Sequence, residues 1–506
     1  MSVKERTRKD GRAAGAGGIE EMRPAGVRAA VVAVKRSNVG GAKGGRKANW
    51  IEDMEREEPP TSVQGASPDR REGEDLWQRY GAEPGIWTKP MLRALEKGGP
   101  KGNKWFSLID KVGSERTLGM AWEQVRDNAG ACGVDRMSVA GFGKDSEKRL
   151  LAVREQIGRG SYRPHAVRRV MIPKAKGKKR PLGIPTVTDR VVQTALKKVI
   201  EPIYEREFCR WSFGFRPGVG CKDALREVQQ HLEAGYLHIV DIDIEGYFDN
   251  IDHELLMERV KERVADSRVL GLIEAFLKQG VMEQGVQWQP EKGSPQGGVI
   301  SPLLANIYLN ELDWRINTEE VRLIRYADDM VLMCRNREDA AQAREKIGQW
   351  MGRARLKLSV EKTREADMSR EREYFDFLGY RFQRAKQGKL LRLVRPKSRK
   401  KLKESIRRKT RRCNKNSMET ICGELEPILR GWFGYFKHAH RNELQSVDSW
   451  TRMRLRSILR KRSKRRGRGR GRDHQRWPND YFKKAGFYSL IDARNQYLSL
   501  RNGVTC

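Results

Sequence analysis

The chain has 506 residues, and its 103 Lys and Arg against 66 Asp and Glu give a formal net charge of +37. Such an excess predicts a polyanionic partner, with RNA or DNA ahead of membrane lipid. No apolar run approaches the length needed to cross a bilayer, and the seven scattered cysteines include no C-x-x-C pair, which excludes the usual zinc-ribbon spacing.

Residues 1–75 mix Gly, Ala, Arg and Glu with little periodicity and lack the apolar core of a secretory signal. We expect them to form a largely disordered basic extension. From Trp77 the composition changes, and the run Trp105–Val112 indicates the opening of a folded domain. A helix is predicted over Met120–Asn128, before a Gly-rich turn.

Two short strands joined by a basic loop follow, at Val167–Lys174 and Arg180–Pro185. A strand–loop–strand unit with several cations could hold a phosphate chain through charge-assisted hydrogen bonds. In isolation, an ordinary solvated basic hairpin is the favoured interpretation. Apolar spacing then predicts amphipathic helices over Asp189–Phe208 and Cys221–Ala234, and we expect these helices and the irregular residues 211–218 between them to be scaffold.

The segment His238–His253 begins as an alternating strand, with apolar side chains on one face and acidic ones on the other. Asp243 stands where this strand would end, so its carboxylate could be held rigidly. A helix cap or a solvated strand end is the alternative. Asp249 and Asp252 are predicted to cap the helix that begins near His253.

Further along, the segment Gly293–Leu309 contains a Pro-Gln-Gly-Gly loop that opens a helix. Its glycines would let the backbone approach a planar or phosphorylated ligand closely. A helix-initiating turn with nothing bound is the alternative.

The most informative segment is Leu323–Met333, where two β-prone apolar runs flank Asp328 and Asp329. This pattern predicts a hairpin with two carboxylates at its tight end. Adjacent carboxylates near a folded core repel unless cations neutralise them, and a pair of divalent metals would do so. By itself the pair could equally be a surface turn. With Asp243 it would form a three-Asp, two-metal site.

After this hairpin the sequence predicts a helix over Glu338–Arg353, a strand and turn over Leu356–Thr363, and a strand over Phe375–Phe382. Basic residues then follow helical patterns over Lys397–Arg412 and Arg452–Lys464, with aromatic residues between them. A helical module of this kind suits a structured nucleic-acid backbone. A solvated helix face over an ordinary core is the alternative.

Taken together, these segments resemble a group II intron-encoded reverse transcriptase/maturase, over most of the chain from about Trp105 to Ala493. The pieces stand in the family's order, from the Gly-Val-Asp turn and the Ile-Pro-Lys strand to Arg-Tyr-Ala-Asp-Asp, Phe-Leu-Gly and Gly-Trp. So many ordered matches are more specific than any one alone. The resemblance implies an α+β right-hand polymerase, with an antiparallel sheet in its fingers and palm, followed by an α-helical thumb called domain X.

The resemblance also implies a division of the chain. We expect a disordered basic extension at 1–75, reverse transcriptase fingers and palm at 76–385, a thumb or maturase domain X at 386–464, and a basic linker with a small C-terminal DNA-contacting unit at 465–506. Many family members end in a His-Asn-His endonuclease with paired cysteines. No such pattern follows Arg472, so we expect no DNA cleavage by the protein itself.

Carried over position by position, Asp243, Asp328 and Asp329 match the family's catalytic carboxylates, which bind two Mg²⁺ ions. Phe248 matches the aromatic residue that blocks a ribose 2′-hydroxyl and so selects deoxynucleotides. The positions implied to bind the incoming nucleotide are Lys174, Arg180, Phe248, Gln296, Gly297 and Lys362. In the thumb, we expect RNA to be bound by Arg399, Lys400, Lys403, Arg407, Arg408 and Arg411.

The mechanism implied is addition of a primer 3′-hydroxyl to the α-phosphate of a deoxynucleotide. One Mg²⁺ would lower the pKa of that hydroxyl and the other would stabilise the pyrophosphate leaving group.

The implied partners are the intron RNA, an RNA template, a DNA primer or target, and deoxynucleoside triphosphates, with no membrane. Whether the protein forms a homodimer is open. A bacterial cytoplasm is the expected location, with the protein at the nucleoid when it is bound to DNA, and an organelle is the alternative.

The leading hypothesis is therefore an RNA-directed DNA polymerase that binds its intron RNA, assists splicing and copies the intron during mobility. One alternative is a splicing-only maturase without polymerase activity, against which the intact Asp243, Asp328 and Asp329 argue. Another is a domesticated reverse transcriptase in defence or repair, against which the Gly-Trp-containing thumb and its basic helices argue.

Overall fold

The computed structural model describes residues 80–100, 102–173, 179–283, 285–359, 361, 363–386, 388–465, 467 and 471–501. All of these residues belong to one compact unit. The predicted extension over 1–75 lies outside the described residues, and so do Lys174 and Lys362.

The described residues form helices and three sheets. The helices are α1 Lys89–Glu96, α2 Ile109–Val112, α3 Glu115–Asn128, α4 Val139–Gly143, α5 Ser146–Arg159, α6 Val187–Glu205, α7 Cys221–Glu233, α8 His253–Lys261, α9 Ser267–Leu277, α10 Ser301–Ile316, α11 Arg337–Arg353, α12 Pro396–Lys409, α13 Met418–Phe436, α14 Arg441–Arg462, α15 Asp473–Arg476, α16 Asn479–Lys484 and α17 Leu490–Arg501. The strands are β1 Val167–Pro173, β2 Lys179–Ile184, β3 His238–Asp243, β4 Val281–Glu283, β5 Val286–Trp288, β6 Val321–Tyr326, β7 Asp329–Cys334, β8 Arg364–Asp367, β9 Tyr374–Phe377, β10 Tyr380–Arg384 and β11 Leu390–Val394.

The fingers sheet has the strand order β2-β1-β4-β5. The pairs β1–β2 and β4–β5 are antiparallel, but β1 and β4 run parallel, with Val167 opposite Val281. The parallel pair arises because the chain crosses the palm between β2 and β4 and returns in the direction of β1. The predicted antiparallel character therefore holds for the palm, whereas the fingers sheet is mixed.

The palm sheet has the order β6-β7-β3-β8 and is antiparallel throughout. Alternation along β3 sends Val240 and Ile242 into a large core shared with the amino-terminal helices. Ile239, on the opposite face, packs in a second core with residues of β9, β10 and the end of α13. Both faces of the sheet are therefore covered, which holds the ends of its strands in place.

One strand prediction after the palm hairpin is wrong, and another holds in part. The predicted strand Phe375–Phe382 is two strands, β9 and β10, joined by a tight turn in which Leu378 and Gly379 have φ of +45° and +82°. Left-handed residues of this kind suit the twist of a two-residue hairpin turn. In the predicted strand and turn over Leu356–Thr363, Leu358 forms a bridge with Ile244, and the Ser359 amide donates to the Asp243 carbonyl at 2.8 Å.

The thumb is a helical unit around a third core. Helices α12, α13 and α14 supply most of this core, and Trp477, Phe482 and Leu490 from the C-terminal segment are buried in it. The predicted helix Lys397–Arg412 ends at Lys409, which leaves Arg411 beyond it. In the part of the chain that the structure describes, no helix is both long and apolar enough to span a membrane.

Candidate active site

The structure brings the three predicted catalytic carboxylates to one end of the palm sheet. Strands β6 and β7 pair up to Tyr326 opposite Asp329, so Ala327 and Asp328 form the two-residue turn between them. Asp329 in turn lies opposite Asp243, the last residue of β3. Residues that are far apart in sequence thus become cross-strand neighbours, as the hairpin prediction required.

These carboxylates fit divalent cations by chemistry and position. Asp329 is exposed and Asp243 and Asp328 are half-buried, and carboxylate oxygens are the protein ligands that Mg²⁺ prefers. Across the described ranges, however, no three His, Cys, Asp or Glu side chains are gathered closely enough to form a finished metal site. Strand pairing nevertheless places Asp243 opposite Asp329, next to Asp328.

A fourth carboxylate, Asp241, lies on the same face of β3. Burial raises its pKa to about 6, the charges of Asp329 and Asp243 add to the rise, and Arg395 opposes it. Alternation along β3 predicted that Asp241 and Asp243 share one face of the strand, but only Asp243 was predicted as a site residue. Asp241 thus adds a partly buried carboxyl to the end of the sheet that carries Asp243 and Asp329.

A buried ion pair between Arg325 and Asp313 contacts the hairpin turn. The Arg325 guanidinium donates to both carboxylate oxygens of Asp313 and to the side-chain oxygen of Asn306 at 2.9 Å. The same guanidinium donates to the carbonyl of Ala327, in the turn itself, at 3.1 Å. Burial alone would lower the pKa of Arg325, but the Asp313 carboxylate raises it. The position beside Asp328 is thus tied directly to helix α10.

The irregular segment before α7 also holds the turn. The Phe213 amide donates to the Arg325 carbonyl at 2.8 Å, and the Arg325 amide donates to the Trp211 carbonyl at 2.9 Å. Gly214 packs so closely that a Cβ there would lie 2.2 Å from the Ala327 nitrogen. This segment was predicted to be scaffold. Its contacts hold the backbone of Arg325 and Ala327, next to Asp328, in place. The sequence carried no periodic signal for this contact.

A chain of hydrogen bonds joins the fingers to the palm. Arg180 Nε donates to Gln296 Oε1 at 2.6 Å, and Gln296 Nε2 donates to both oxygens of Asp249 at 3.3 Å. The Gly183 amide also donates to the Gln296 carbonyl at 2.7 Å. Two predicted nucleotide-binding residues are therefore in direct contact. Asp249 was predicted as a helix cap, but only Asp252 accepts a capping bond, from the Leu255 amide at 3.1 Å.

The Pro-Gln-Gly-Gly loop packs against both the fingers and the segment that carries Phe248. Gly297 has a φ of +118°, and a Cβ there would lie 2.2 Å from the Gly183 carbonyl oxygen, so both conformation and space require glycine. The Ser294 amide donates to the Phe248 carbonyl at 2.8 Å. The Phe248 ring is buried, 6.4 Å from the ring of Phe215. Hydrogen bonds and close packing thus join Arg180, Gln296 and Gly297 to the segment that carries Phe248, which follows Asp243 in the chain.

The predicted RNA-binding residues of the thumb fall into different settings. Arg399 donates to Glu443 at 3.2 Å, and Arg408 donates to Ser405 at 2.9 Å. Lys403 and Arg407, four residues apart on α12, both approach Trp450 of α14. Lys400 and Arg411 are exposed, Lys400 on α12 and Arg411 beyond its end. The six residues therefore differ in their partners and in their exposure.

Two segments of the chain match known families. Residues 172–382 match the family described as Reverse transcriptase (RNA-dependent DNA polymerase). Residues 399–477 match the family described as Group II intron, maturase-specific domain. The first match contains the carboxylate end of the palm sheet together with β2 and the Pro-Gln-Gly-Gly loop, and the second contains most of the thumb.

Individual relatives agree with these matches. Protein YkfC of Escherichia coli (strain K12) is 35% identical over 303 residues, which are 51% of this chain and 79% of that protein. Group II intron-encoded protein LtrA of Lactococcus lactis subsp. cremoris is 40% identical over 197 residues, 38% of this chain but only 32% of that protein. Among solved structures, one chain of a partial Cas6-RT-Cas1–Cas2 complex aligns with this protein at 23% sequence identity and a TM-score of 0.31. The alignment covers 49% of this chain and 41% of the chain in the complex.

Proposed function

Because the chain belongs to the group II intron reverse transcriptase/maturase family and contains a reverse transcriptase domain, we propose that it copies intron RNA into DNA and assists the splicing of that RNA. The observation that carries the polymerase half of this proposal is the pairing of Asp243 with Asp329 beside the Asp328 turn. The maturase half rests on the helical thumb and its basic residues.

Asp243, Asp328 and Asp329 are the residues that would hold divalent metal. When bound, Mg²⁺ ions would neutralise charge on the reacting phosphate and make the primer hydroxyl a better nucleophile. Strand pairing and the Arg325 contact with the turn keep the three carboxylate-bearing positions adjacent without further folding. This rigidity supports a reaction in which positioning and charge supply most of the rate.

The residues around the Gln296 loop would position the incoming deoxynucleotide. Arg180 supplies a guanidinium for the triphosphate, and its present bond to Gln296 keeps it near the palm. The Phe248 ring would obstruct the 2′-hydroxyl of a ribonucleotide. Lys174 and Lys362, which lie outside the described residues, remain predicted contacts to the triphosphate.

Further partners follow from the same proposal. The thumb would bind the intron RNA, while the palm would receive an RNA template with a DNA primer or target. The six basic residues named for the thumb would contribute contacts to phosphate, which attract nucleic acid irrespective of its sequence. Bacterial cytoplasm remains our expected location.

Primer extension on an RNA template, with deoxynucleotides and Mg²⁺, tests the polymerase proposal. We expect Asp328→Asn to lower the extension rate by more than about a hundredfold, since loss of even an outer partner of a metal ligand commonly costs 10–100-fold. Asp339→Asn, in the first turn of α11, is the matched control and should extend normally, since the asparagine oxygen can still accept the bond from Asn336. Absence of extension by a folded wild-type protein that binds RNA would leave the splicing-only maturase as its function.

A further inference from the structure

Three cations of the thumb converge on one aromatic ring. The charged groups of Lys403, Arg407 and Arg454 lie 5.2, 5.5 and 5.3 Å from the centroid of Trp450. Lys403 and Arg407 come from one face of α12, and Trp450 and Arg454 come from α14. A single cation over a Trp ring is common, but three cations around one ring bring like charges unusually close together.

Negative charge near this cluster does not balance it. Among the described residues, none of these three cations forms an ion pair with a carboxylate. Glu443, which acts on Lys403, is already bonded to Arg399 at 3.2 Å. Burial and the charges of Arg399 and Arg407 lower the pKa of Lys403, so the free protein bears a repulsion that an anion would relieve.

The cluster is also held in place before any ligand arrives. Arg454 donates from Nε to the Thr410 hydroxyl and from a terminal nitrogen to the Thr410 carbonyl, both at 2.7 Å. Trp450 is half-buried against the thumb core. Arg407 is exposed, so the cluster is open to solvent at that side. Groups fixed in this way lose little conformational entropy when they bind.

We propose that Lys403, Arg407 and Arg454, arranged around Trp450, form a site for phosphates of a nucleic-acid backbone. This inference rests on the proposed function only in that the ligand is nucleic acid. It adds Trp450 and Arg454 as binding-site residues, and it separates Lys403 and Arg407 from the other basic residues of α12. The phosphates come either from the template–primer duplex or from a structured RNA held outside the polymerase cleft.

Equilibrium binding at several KCl concentrations tests this site. The probes are a fluorescein-labelled RNA hairpin without a primer terminus, and an RNA template annealed to a labelled DNA primer. We expect Lys403→Gln with Arg407→Gln to weaken binding about tenfold and to reduce the slope of log Kd against log salt by about 2, because each lost phosphate contact removes about 1. The Asp328→Asn background can be used, so the result does not depend on polymerase activity.

The matched control is Lys397→Gln with Lys401→Gln, which removes the same charge from exposed positions of the same helix. It should leave the slope nearly unchanged. A weakening confined to the hairpin assigns the site to structured RNA, and a weakening that extends to the template–primer assigns it to the duplex. Equal slopes for the two double variants on both probes would overturn the proposal, because net charge alone would then explain binding.

Arg454→Lys provides a second, independent measurement. Lysine keeps the charge but cannot donate to both Thr410 oxygens as the planar guanidinium does. With an unchanged thermal unfolding midpoint, this variant should still bind both probes several-fold more weakly than the wild type. Wild-type affinity for both probes in a folded Arg454→Lys protein would contradict a site built around a fixed Arg454.

Discussion

At the scale of single residues, Phe248 is the candidate whose surroundings the structure changes most. The resemblance implied a ring presented to the sugar of an incoming nucleotide. The structure shows the ring largely buried, in contact with Tyr247 and Phe215, while its carbonyl accepts a bond from the Ser294 amide. Packing on one side and the Gln296 loop on the other would restrict any movement of this ring.

We expect Phe248→Val to admit ribonucleotides. Removal of the ring opens space beside the nucleotide-binding candidates, so the preference for deoxynucleotides over ribonucleotides should fall by at least about tenfold. Single-nucleotide primer extension with each nucleotide type measures this ratio. Phe142→Val, which removes a buried ring from the amino-terminal helix α4, is the control for general destabilisation. An unchanged ratio in an active Phe248→Val protein would remove Phe248 from the selectivity site.

At the scale of elements, the catalytic hairpin depends on neighbours that carry no catalytic group. Helix α10 supports its turn through Asp313 and Arg325, and the segment before α7 lies against the turn at Gly214. Asn306 Nδ2 further donates to the Gly214 carbonyl at 2.8 Å, which joins these two supports. The position of Asp328 is therefore a property of three elements together.

Gly214→Ala tests this dependence. The added methyl group would overlap the Ala327 backbone, so we expect the turn to shift and the extension rate to fall by about a hundredfold, a loss that a displacement of about 1 Å can cause. Gly220→Ala, in the same segment, is the control because nothing lies within 4 Å of the added carbon. Full activity in a folded Gly214→Ala protein would show that the turn tolerates displacement.

In the whole molecule, a sheet with the strand order β11-β10-β9 lies between the palm and the thumb. Asp376 of β9 accepts hydrogen bonds from Arg381 of β10 at 2.8 and 3.1 Å, and it pairs with Arg395, just before α12, at 3.1 Å. Tyr435 of α13 donates to the Leu378 carbonyl at 2.7 Å. The thumb is therefore joined to the sheet of β9, β10 and β11 by charged and polar contacts as well as by the chain.

Global stability should depend on the protonation of His231. Burial lowers its pKa to about 4, and the charges of Arg322 and Arg210 lower it further, although a bond to the Glu227 carbonyl at 2.8 Å opposes the shift. The unfolded chain binds a proton near pH 6.5, whereas the folded protein binds it only near pH 4. Stability from this residue is therefore fully present above pH 6.5 and is lost as the pH falls toward 4.

His231→Gln should remove that pH dependence. Urea unfolding at pH 7 and pH 4 should show the wild type losing up to about 3 kcal/mol more than the variant over this interval. Comparison of the two proteins is essential because carboxylates titrate in the same range and contribute equally to both. Parallel pH profiles would show that protonated His231 is accommodated in the folded state.

Local features of this protein could be predicted from its sequence alone. Alternation placed Asp243 at a strand end, two β-prone runs around Asp328 and Asp329 predicted the hairpin, and both predictions agree with the observed strands. Ordered motifs also indicated the family, which the matched segments confirm. These features can be read from sequence because periodicity and turn chemistry act over a few neighbouring residues.

Contacts between residues far apart in the sequence became visible in the tertiary structure. Nothing in the sequence indicated that Gly214 would lie against the catalytic turn, or that Arg454 would join Lys403 at Trp450. Such contacts depend on how helices and sheets pack over long separations, and local propensity carries no information about them. The split of the predicted Phe375–Phe382 strand has a local cause as well, because Leu378 and Gly379 form the turn across which β9 and β10 pair.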